Sequence, residues 1–167
     1  MWAFAALLAA SVNPCDVPRR ELSTSMNLSY EAFDGRRGPY GWRPLLDAGC
    51  VDSVVSLLSA YSIANDARLD QAQRLEMQFH IGQALAMSGR EKEAIAYFSK
   101  ASAPDAPAEW RIYVEATLAF LGHDQDRLAL ARSSYASVAP GSMRLMIIDG
   151  MVACPRESYA KAVHCRM

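Results

Sequence analysis

Asp34, Arg36, Arg37 and Arg43 form a charged cluster among aromatic residues. An arginine guanidinium group binds a carboxylate or a phosphate through two parallel hydrogen bonds. The cluster therefore predicts an anion contact at Arg36, Arg37 and Arg43. The alternative interpretation is that these arginines stack on neighbouring aromatic rings and stabilise a loop.

Glu76 and His80 are the second pair of residues that could do chemistry. A separation of four positions places both side chains on one face of a helix, and a carboxylate beside an imidazole can act as a general acid–base pair. The alternative interpretation is a solvated or groove-lining pair with no catalytic role.

Common catalytic and cofactor motifs are absent from the sequence. It contains no GxxxxGK[ST], GxGxxG, HExxH or GxSxG pattern, which removes the commonest enzymes that such motifs identify. It also contains no CxxC pair, so a redox site or a zinc knuckle is not indicated. We therefore expect no enzymatic activity, no cofactor and no metal.

The composition favours one folded domain with little net charge. The chain has 167 residues, of which 51% are hydrophobic, which is enough for a continuous core. Its 17 basic and 18 acidic residues give a formal net charge of −1, so no bulk positive field attracts nucleic acid. We expect no nucleic-acid partner.

The chain begins with an apolar run that has the length of a signal peptide. Ala9 and Ser11 fit the small-residue rule for cleavage before Val12, so residues 1–11 are predicted to be a signal peptide. No Lys or Arg precedes Arg19, so the α-amino group supplies the charge or the true start lies upstream. The run is too short to be a transmembrane anchor. An apolar first helix packed on the domain is the alternative.

The four cysteines favour disulfide bonds. An even number in an exported chain indicates an oxidising compartment, although three pairings are open. A hairpin that folds at Pro155 would bring Cys154 and Cys165 together, and elimination then pairs Cys15 with Cys50. We expect export, with the bacterial periplasm as the destination.

Residues 12–40 are predicted to be an extended or loop segment. They are rich in Pro, Ser, Gly and Arg and show no sustained helical period. Tyr30, Phe33, Tyr40 and Trp42 nevertheless lie in or next to this segment. We expect these aromatic residues to lie across the first helices and to shield their apolar face.

Residues 41–167 are predicted to be one helical domain, in which glycines and prolines separate apolar helical patterns. Asp70 and Gln73 form a predicted capping box, and Ser142 is a predicted N-cap. A last short helix is expected to act as a C-terminal lid that ends at Cys165. The longer predicted helices are 52–63, 71–87, 109–121, 126–138 and 143–154.

The stretch 81–101 resembles a tetratricopeptide repeat. Small and apolar residues follow the order and spacing at which the two helices of that repeat touch. These residues are Ile81, Gly82, Leu85, Gly89, Ala94, Phe98 and Ala101. The resemblance implies an all-α fold of antiparallel helical hairpins stacked as a short α-solenoid.

The same resemblance implies a concave groove for a peptide or protein partner, lined by the first helix of each hairpin. The groove positions that it implies are Glu76, Phe79, Gln83, Ala86 and Met87. They lack the Lys, Arg and Asn that clamp a terminal carboxylate in family members. The alternative is that Phe79 and Met87 pack against a neighbouring hairpin or the N-terminal segment and fill the groove.

The stretch from Phe33 to Cys50 is similar to small exported bacterial proteins, which supports export and implies no mechanism. We therefore expect a non-enzymatic protein- or peptide-binding module of the bacterial cell envelope. The alternative is an envelope-associated hydrolase with a site near Asp34 and Arg43 or near Glu76 and His80.

Overall fold

A computed structural model describes residues 15–35 and 40–165, and within these ranges the chain forms helices and no strands. The predicted all-α class is confirmed. The helices are α1 (Arg19–Met26), α2 (Tyr30–Asp34), α3 (Arg43–Asp47), α4 (Val51–Ala64), α5 (Gln71–Met87), α6 (Glu91–Lys100), α7 (Ala108–Leu121), α8 (Gln125–Val138), α9 (Met143–Ala153) and α10 (Tyr159–Ala162).

Neighbouring helices pack as hairpins, in the pairs α3–α4, α5–α6, α7–α8 and α9–α10. The hairpins stack on one another because α4 packs on α5, α6 on α7, and α8 on α9. The predicted capping box is present at the start of α5, where Asp70 Oδ1 accepts from the Gln73 backbone N–H at 2.8 Å. None of the helices within the described ranges is both long and apolar enough to span a lipid bilayer.

A residue with a left-handed backbone closes each of the first three hairpins. Gly49 and Gly89 have φ angles of 77° and 81°, a conformation that costs glycine little. In the third hairpin Gly122 keeps a right-handed helical backbone and His123 takes the left-handed one, with φ 56°. The left-handed residue of this turn therefore lies one position after the glycine, 34 residues after Gly89.

The same 34-residue spacing places a small residue in the first helix of each of the last three hairpins. Gly82 in α5, Ala116 in α7 and Gly150 in α9 are all buried. A Cβ atom at Gly82 would lie 3.1 Å from the Phe98 ring of α6. A Cβ atom at Gly150 would meet the carbonyl oxygen of Ala162 in α10. Small side chains at this position therefore let the two helices of a hairpin approach closely.

The N-terminal segment is more regular than the sequence suggests. Residues 12–40 were predicted to be extended or loop, whereas their described part contains α1 and α2. The Ser29 side chain caps α2 by accepting a backbone N–H of its first turn at 3.3 Å. Phe33 stacks on Tyr61 with ring centroids 3.7 Å apart. Phe33 and Trp42 are fully buried, so the expected shielding of the first helices is confirmed for these two rings, whereas Tyr40 is 40% exposed.

Two disulfide bonds tie the ends of the described chain to the helical array. Cys15 pairs with Cys50, with Cα atoms 5.1 Å apart, and Cys154 pairs with Cys165, with Cα atoms 6.3 Å apart. Both pairings agree with the sequence prediction. The residues of the predicted signal peptide, 1–11, lie outside the described ranges.

The last helix folds back on the face that α5, α7 and α9 share. It contacts α5 and α9, and its Tyr159 is fully buried, with ring centroids 6.0 Å from Phe98 and 6.3 Å from Phe120. The Tyr159 backbone N–H donates to Glu91 Oε1 at 2.6 Å. The C-terminal segment thus covers part of this face, as the predicted lid would.

Candidate functional site

Part of the shared face remains open as a groove, which we call the hairpin groove. It encloses about 200 Å³ between α5, α7 and α9, the first helices of three consecutive hairpins. Its lining combines apolar surface with two carboxylates and one guanidinium group. The lining residues are Ala72, Leu75, Glu76, Pro107, Glu109, Trp110 and Arg144.

Three of these residues occupy the same position on successive helices. Glu76, Trp110 and Arg144 are spaced 34 residues apart, so they form a row across α5, α7 and α9. The Trp110 indole N–H donates to the carbonyl oxygen of Ala101 at 2.9 Å, which fixes the ring in the wall. The row places a carboxylate, an aromatic ring and a guanidinium group side by side.

Arg144 lies over two aromatic rings and between two carboxylates. Its guanidinium carbon is 5.1 Å from the Trp110 ring centroid and 5.4 Å from the Tyr113 ring centroid. Its Nη2 is 3.6 Å from Glu76 Oε1, and its Nη1 is 3.4 Å from Glu109 Oε1. The Arg144 side chain is 37% exposed, and ion pairs this open to water contribute about 0.2–1 kcal/mol each. Arg144 is therefore held by several weak contacts.

Two tyrosines orient the carboxylates of the groove. The Tyr30 hydroxyl donates to Glu76 Oε2 at 2.5 Å, and the Tyr135 hydroxyl donates to Glu109 Oε1 at 2.6 Å. Burial, together with these hydrogen bonds, raises the pKa of both phenols above the ordinary value. Both tyrosines therefore stay neutral donors at physiological pH, and neither cancels the negative charge of its glutamate.

A second polar cluster lies where α2 and α3 meet α5. Asp34 Oδ1 accepts from Trp42 Nε1 at 3.0 Å and from Arg43 Nη2 at 3.0 Å, and lies 3.1 Å from His80 Nε2. Burial raises the pKa of the Asp34 carboxyl, but the hydrogen bonds from His80 and Trp42 and the charges of His80 and Arg43 lower it further, so the net shift is downward. Asp34 therefore remains ionised and holds the N-terminal segment against α5.

Arg43 stacks on an aromatic ring and stabilises its own segment, which is the alternative to an anion contact. Its Nε donates to the Asp34 carbonyl oxygen at 2.6 Å, and its guanidinium carbon lies 4.2 Å from the Trp42 ring centroid. Arg43 therefore stabilises this segment through a carboxylate and a ring of its own chain. Arg36 and Arg37, the other predicted anion contacts, lie outside the described residues.

Glu76 and His80 do not pair with each other, although the sequence suggested it. Glu76 contacts Tyr30 and faces the hairpin groove, whereas His80 contacts Asp34. The other ring nitrogen of His80, Nδ1, lies 3.4 Å from Gln83 Oε1. Tertiary contacts to the N-terminal segment thus replace the local four-residue pairing.

The groove positions implied by the sequence divide into surface and core. Glu76 lines the hairpin groove, while Phe79 is only 3% exposed and packs against Trp110 and Tyr113, with ring centroids 5.3 Å and 5.1 Å away. Phe79 therefore belongs to the core and not to the partner surface. This agrees with the alternative that Phe79 packs against a neighbouring hairpin. Gln83 and Met87 are half-buried, and their contact with a partner stays a prediction.

The sequence reasoning missed Glu109, Trp110 and Arg144. A repeat of the Glu76 position at intervals of 34 residues identifies Trp110 and Arg144, and Glu109 precedes Trp110. In the part of the chain that the structure describes, no three His, Cys, Asp or Glu residues are grouped so that they could hold a metal ion.

No family model, curated protein or solved structure matches this chain. Function is therefore inferred from the geometry of the groove and of the cluster around Asp34.

Proposed function

We propose that this protein is a non-enzymatic binding module that holds an extended segment of a peptide or protein partner in the hairpin groove. The observation that carries the proposal is the row of Glu76, Trp110 and Arg144 on three consecutive first helices. The resemblance to tetratricopeptide repeats supports the same function, because such arrays bind peptides on the face of their first helices. The 34-residue spacing of the row equals the period of that repeat.

The groove has the composition of a site for one or two side chains. Leu75, Pro107 and Trp110 supply apolar surface, and Glu76 and Glu109 supply acceptors for hydrogen bonds. Its volume of about 200 Å³ is below the range of roughly 300–1,000 Å³ that encloses a drug-sized molecule. A chain that lies along the surface and inserts a side chain fits this space better than an enclosed small molecule.

The cluster around Asp34 supports binding over the alternative of an envelope-associated hydrolase. Both ring nitrogens of His80 face groups of the same chain, Asp34 and Gln83, so the contacts of this imidazole are to the N-terminal segment and to its own helix. Asp34 Oδ1 is already shared by Trp42, Arg43 and His80. This arrangement serves to anchor the N-terminal segment on α5.

Two disulfide bonds fit a protein of an oxidising compartment. We propose the bacterial periplasm as that compartment, which agrees with the signal-like start of the sequence. The partner is then another component of the cell envelope.

The proposal can be tested with one alanine in the groove and one outside it. Ala72 lines the groove and is exposed, and Ala96 is an exposed residue of α6 on the second helix of the same hairpin. Ala72→Gln adds a neutral side chain to the groove, and Ala96→Gln is the matched control. Peptides selected from a random heptapeptide display library on the wild-type protein are then measured by fluorescence anisotropy against all three proteins.

We expect the selected peptides to bind wild-type protein and Ala96→Gln equally and to bind Ala72→Gln at least about 10-fold more weakly, a difference of about 1.4 kcal/mol. Equal binding to all three proteins, or no enrichment of any peptide, would overturn the proposal. Circular dichroism of each variant verifies that the fold is retained.

A further inference from the structure

The hairpin groove carries more negative than positive charge. Glu76 and Glu109 each contribute a carboxylate and Arg144 contributes one guanidinium group. Tyr30 and Tyr135 donate hydrogen bonds to the two glutamates but stay neutral. Among the described residues that line the groove, two carboxylates therefore face one guanidinium group, which leaves one negative charge without a cation.

The groove already shows how it holds a guanidinium group. The head of Arg144 lies over Trp110 and Tyr113 and between the oxygens of Glu76 and Glu109. Aromatic faces and carboxylates are the two partners that attract a cation in proteins. These four residues, together with the cavity beside them, form a site built for a cationic side chain.

Arg144 fills this site poorly. Its closest nitrogen–oxygen distances to the two glutamates are 3.4 Å and 3.6 Å, longer than the roughly 2.7–2.9 Å of a well-formed charge-assisted hydrogen bond. Its side chain is also 37% exposed. A cation that enters from solvent can therefore make shorter contacts to the same oxygens, while Arg144 moves out into water.

We propose that the hairpin groove selects a basic side chain of the bound segment, an arginine, and that Arg144 occupies the position of that side chain in the free protein. The inference rests on the proposed function, since the arginine belongs to the peptide held in the groove. An acidic or phosphorylated segment would face the two carboxylates and be repelled. Arg144 thus acts as an internal competitor that the partner displaces.

Removal of the competitor gives the direct test. Arg144→Met keeps a long side chain and removes the charge. Arg132→Met is the matched control, because Arg132 is similarly exposed and pairs with Asp149 outside the groove lining. The probes are N-acetylarginine amide and N-acetylcitrulline amide, which share a shape and differ in charge. Binding is followed by the NMR signal of the Trp110 indole N–H during titration.

We expect the arginine probe to bind Arg144→Met about 5- to 30-fold more tightly than wild-type protein, because the weak cation–π contacts of Arg144 to two rings and its two weak ion pairs no longer compete. Arg132→Met should bind like the wild type, and the citrulline probe should bind all proteins equally weakly. Glu109→Gln should weaken the binding of the arginine probe. Equal or weaker binding of arginine to Arg144→Met, or citrulline binding as tight as arginine binding, would overturn the inference.

The failure of this inference can be told apart from the failure of the proposed function. In one outcome, the selected peptides bind Ala72→Gln more weakly but are not enriched in basic residues, and Arg144→Met binds the arginine probe no more tightly than wild-type protein does. The peptide-binding function then stands and the cation preference falls. If no peptide is selected while arginine binds Arg144→Met as expected, the cation site is supported and the peptide-binding function falls.

Discussion

Substitution of Gly82 by alanine tests the packing of the α5–α6 hairpin through the sign of its effect. In a helix free of crowding, Gly→Ala stabilises by about 1 kcal/mol. At Gly82 the added Cβ would lie 3.1 Å from three atoms of the Phe98 ring. That ring is fully buried and packed 4.8 Å from the Phe79 ring and 6.0 Å from the Tyr159 ring, measured between centroids. The Phe98 ring therefore has little room to move.

Crowding of a packed core costs about 1–3 kcal/mol, which exceeds the gain in helix propensity for most of that range. We expect Gly82→Ala to lower the free energy of unfolding by up to about 2 kcal/mol. Urea unfolding followed by far-ultraviolet circular dichroism gives this quantity. In a Phe98→Leu background the same substitution should become neutral or stabilising, because leucine leaves space for the methyl group. A stabilisation of about 1 kcal/mol by Gly82→Ala alone would refute the close contact.

Two further predictions concern the contacts that tie the ends of the chain to the array. Asp34→Asn should destabilise by about 1–3 kcal/mol at neutral pH. Because folding lowers the pKa of Asp34, the loss of stability should be complete above the ordinary pKa of 3.8 and should disappear as the pH falls through the lower pKa of the folded state. Urea unfolding at a series of pH values from 7 downwards measures this loss. A loss of stability that does not change with pH would contradict the prediction. Replacement of both cysteines by serine should lower the stability by about 4 kcal/mol for Cys15–Cys50, 35 residues apart, and by about 3 kcal/mol for Cys154–Cys165, 11 residues apart, because the longer loop loses more entropy when it is closed. Thermal unfolding should therefore show the larger loss for the first pair. The reverse order would argue against a loop-entropy effect.

The sequence predicts the helices whose ends carry local signals. The helix 71–87 has a capping box at Asp70 and a left-handed glycine at Gly89, and its predicted and observed bounds agree. In contrast, α1 and α2 lie in a stretch of short polar residues that compete for backbone hydrogen bonds and weaken a helical pattern. Contacts from far along the chain stabilise this segment, such as the Tyr61 hydroxyl donating to the Leu28 carbonyl oxygen at 2.9 Å.

Some residues of the candidate site can likewise be predicted from local spacing, whereas others depend on contacts from distant parts of the chain. Glu76 could be placed on the groove from one repeat alone. The partner of His80 could not, because Asp34 lies on another helix, 46 positions earlier in the chain, and a four-residue spacing pointed to Glu76 instead. Trp110 and Arg144 required the register of later hairpins, which the shift of the third turn obscures.

The bond between Tyr30 and Glu76 has a practical consequence for anyone who expresses this protein in pieces. A fragment that starts at residue 41, the boundary suggested by composition, would lack the phenol that orients Glu76 in the groove. It would also lose the ring of Phe33 from the surface of Tyr61. Such a truncated preparation would present a loosened recognition surface, and weak ligand binding by it would say little about the intact chain.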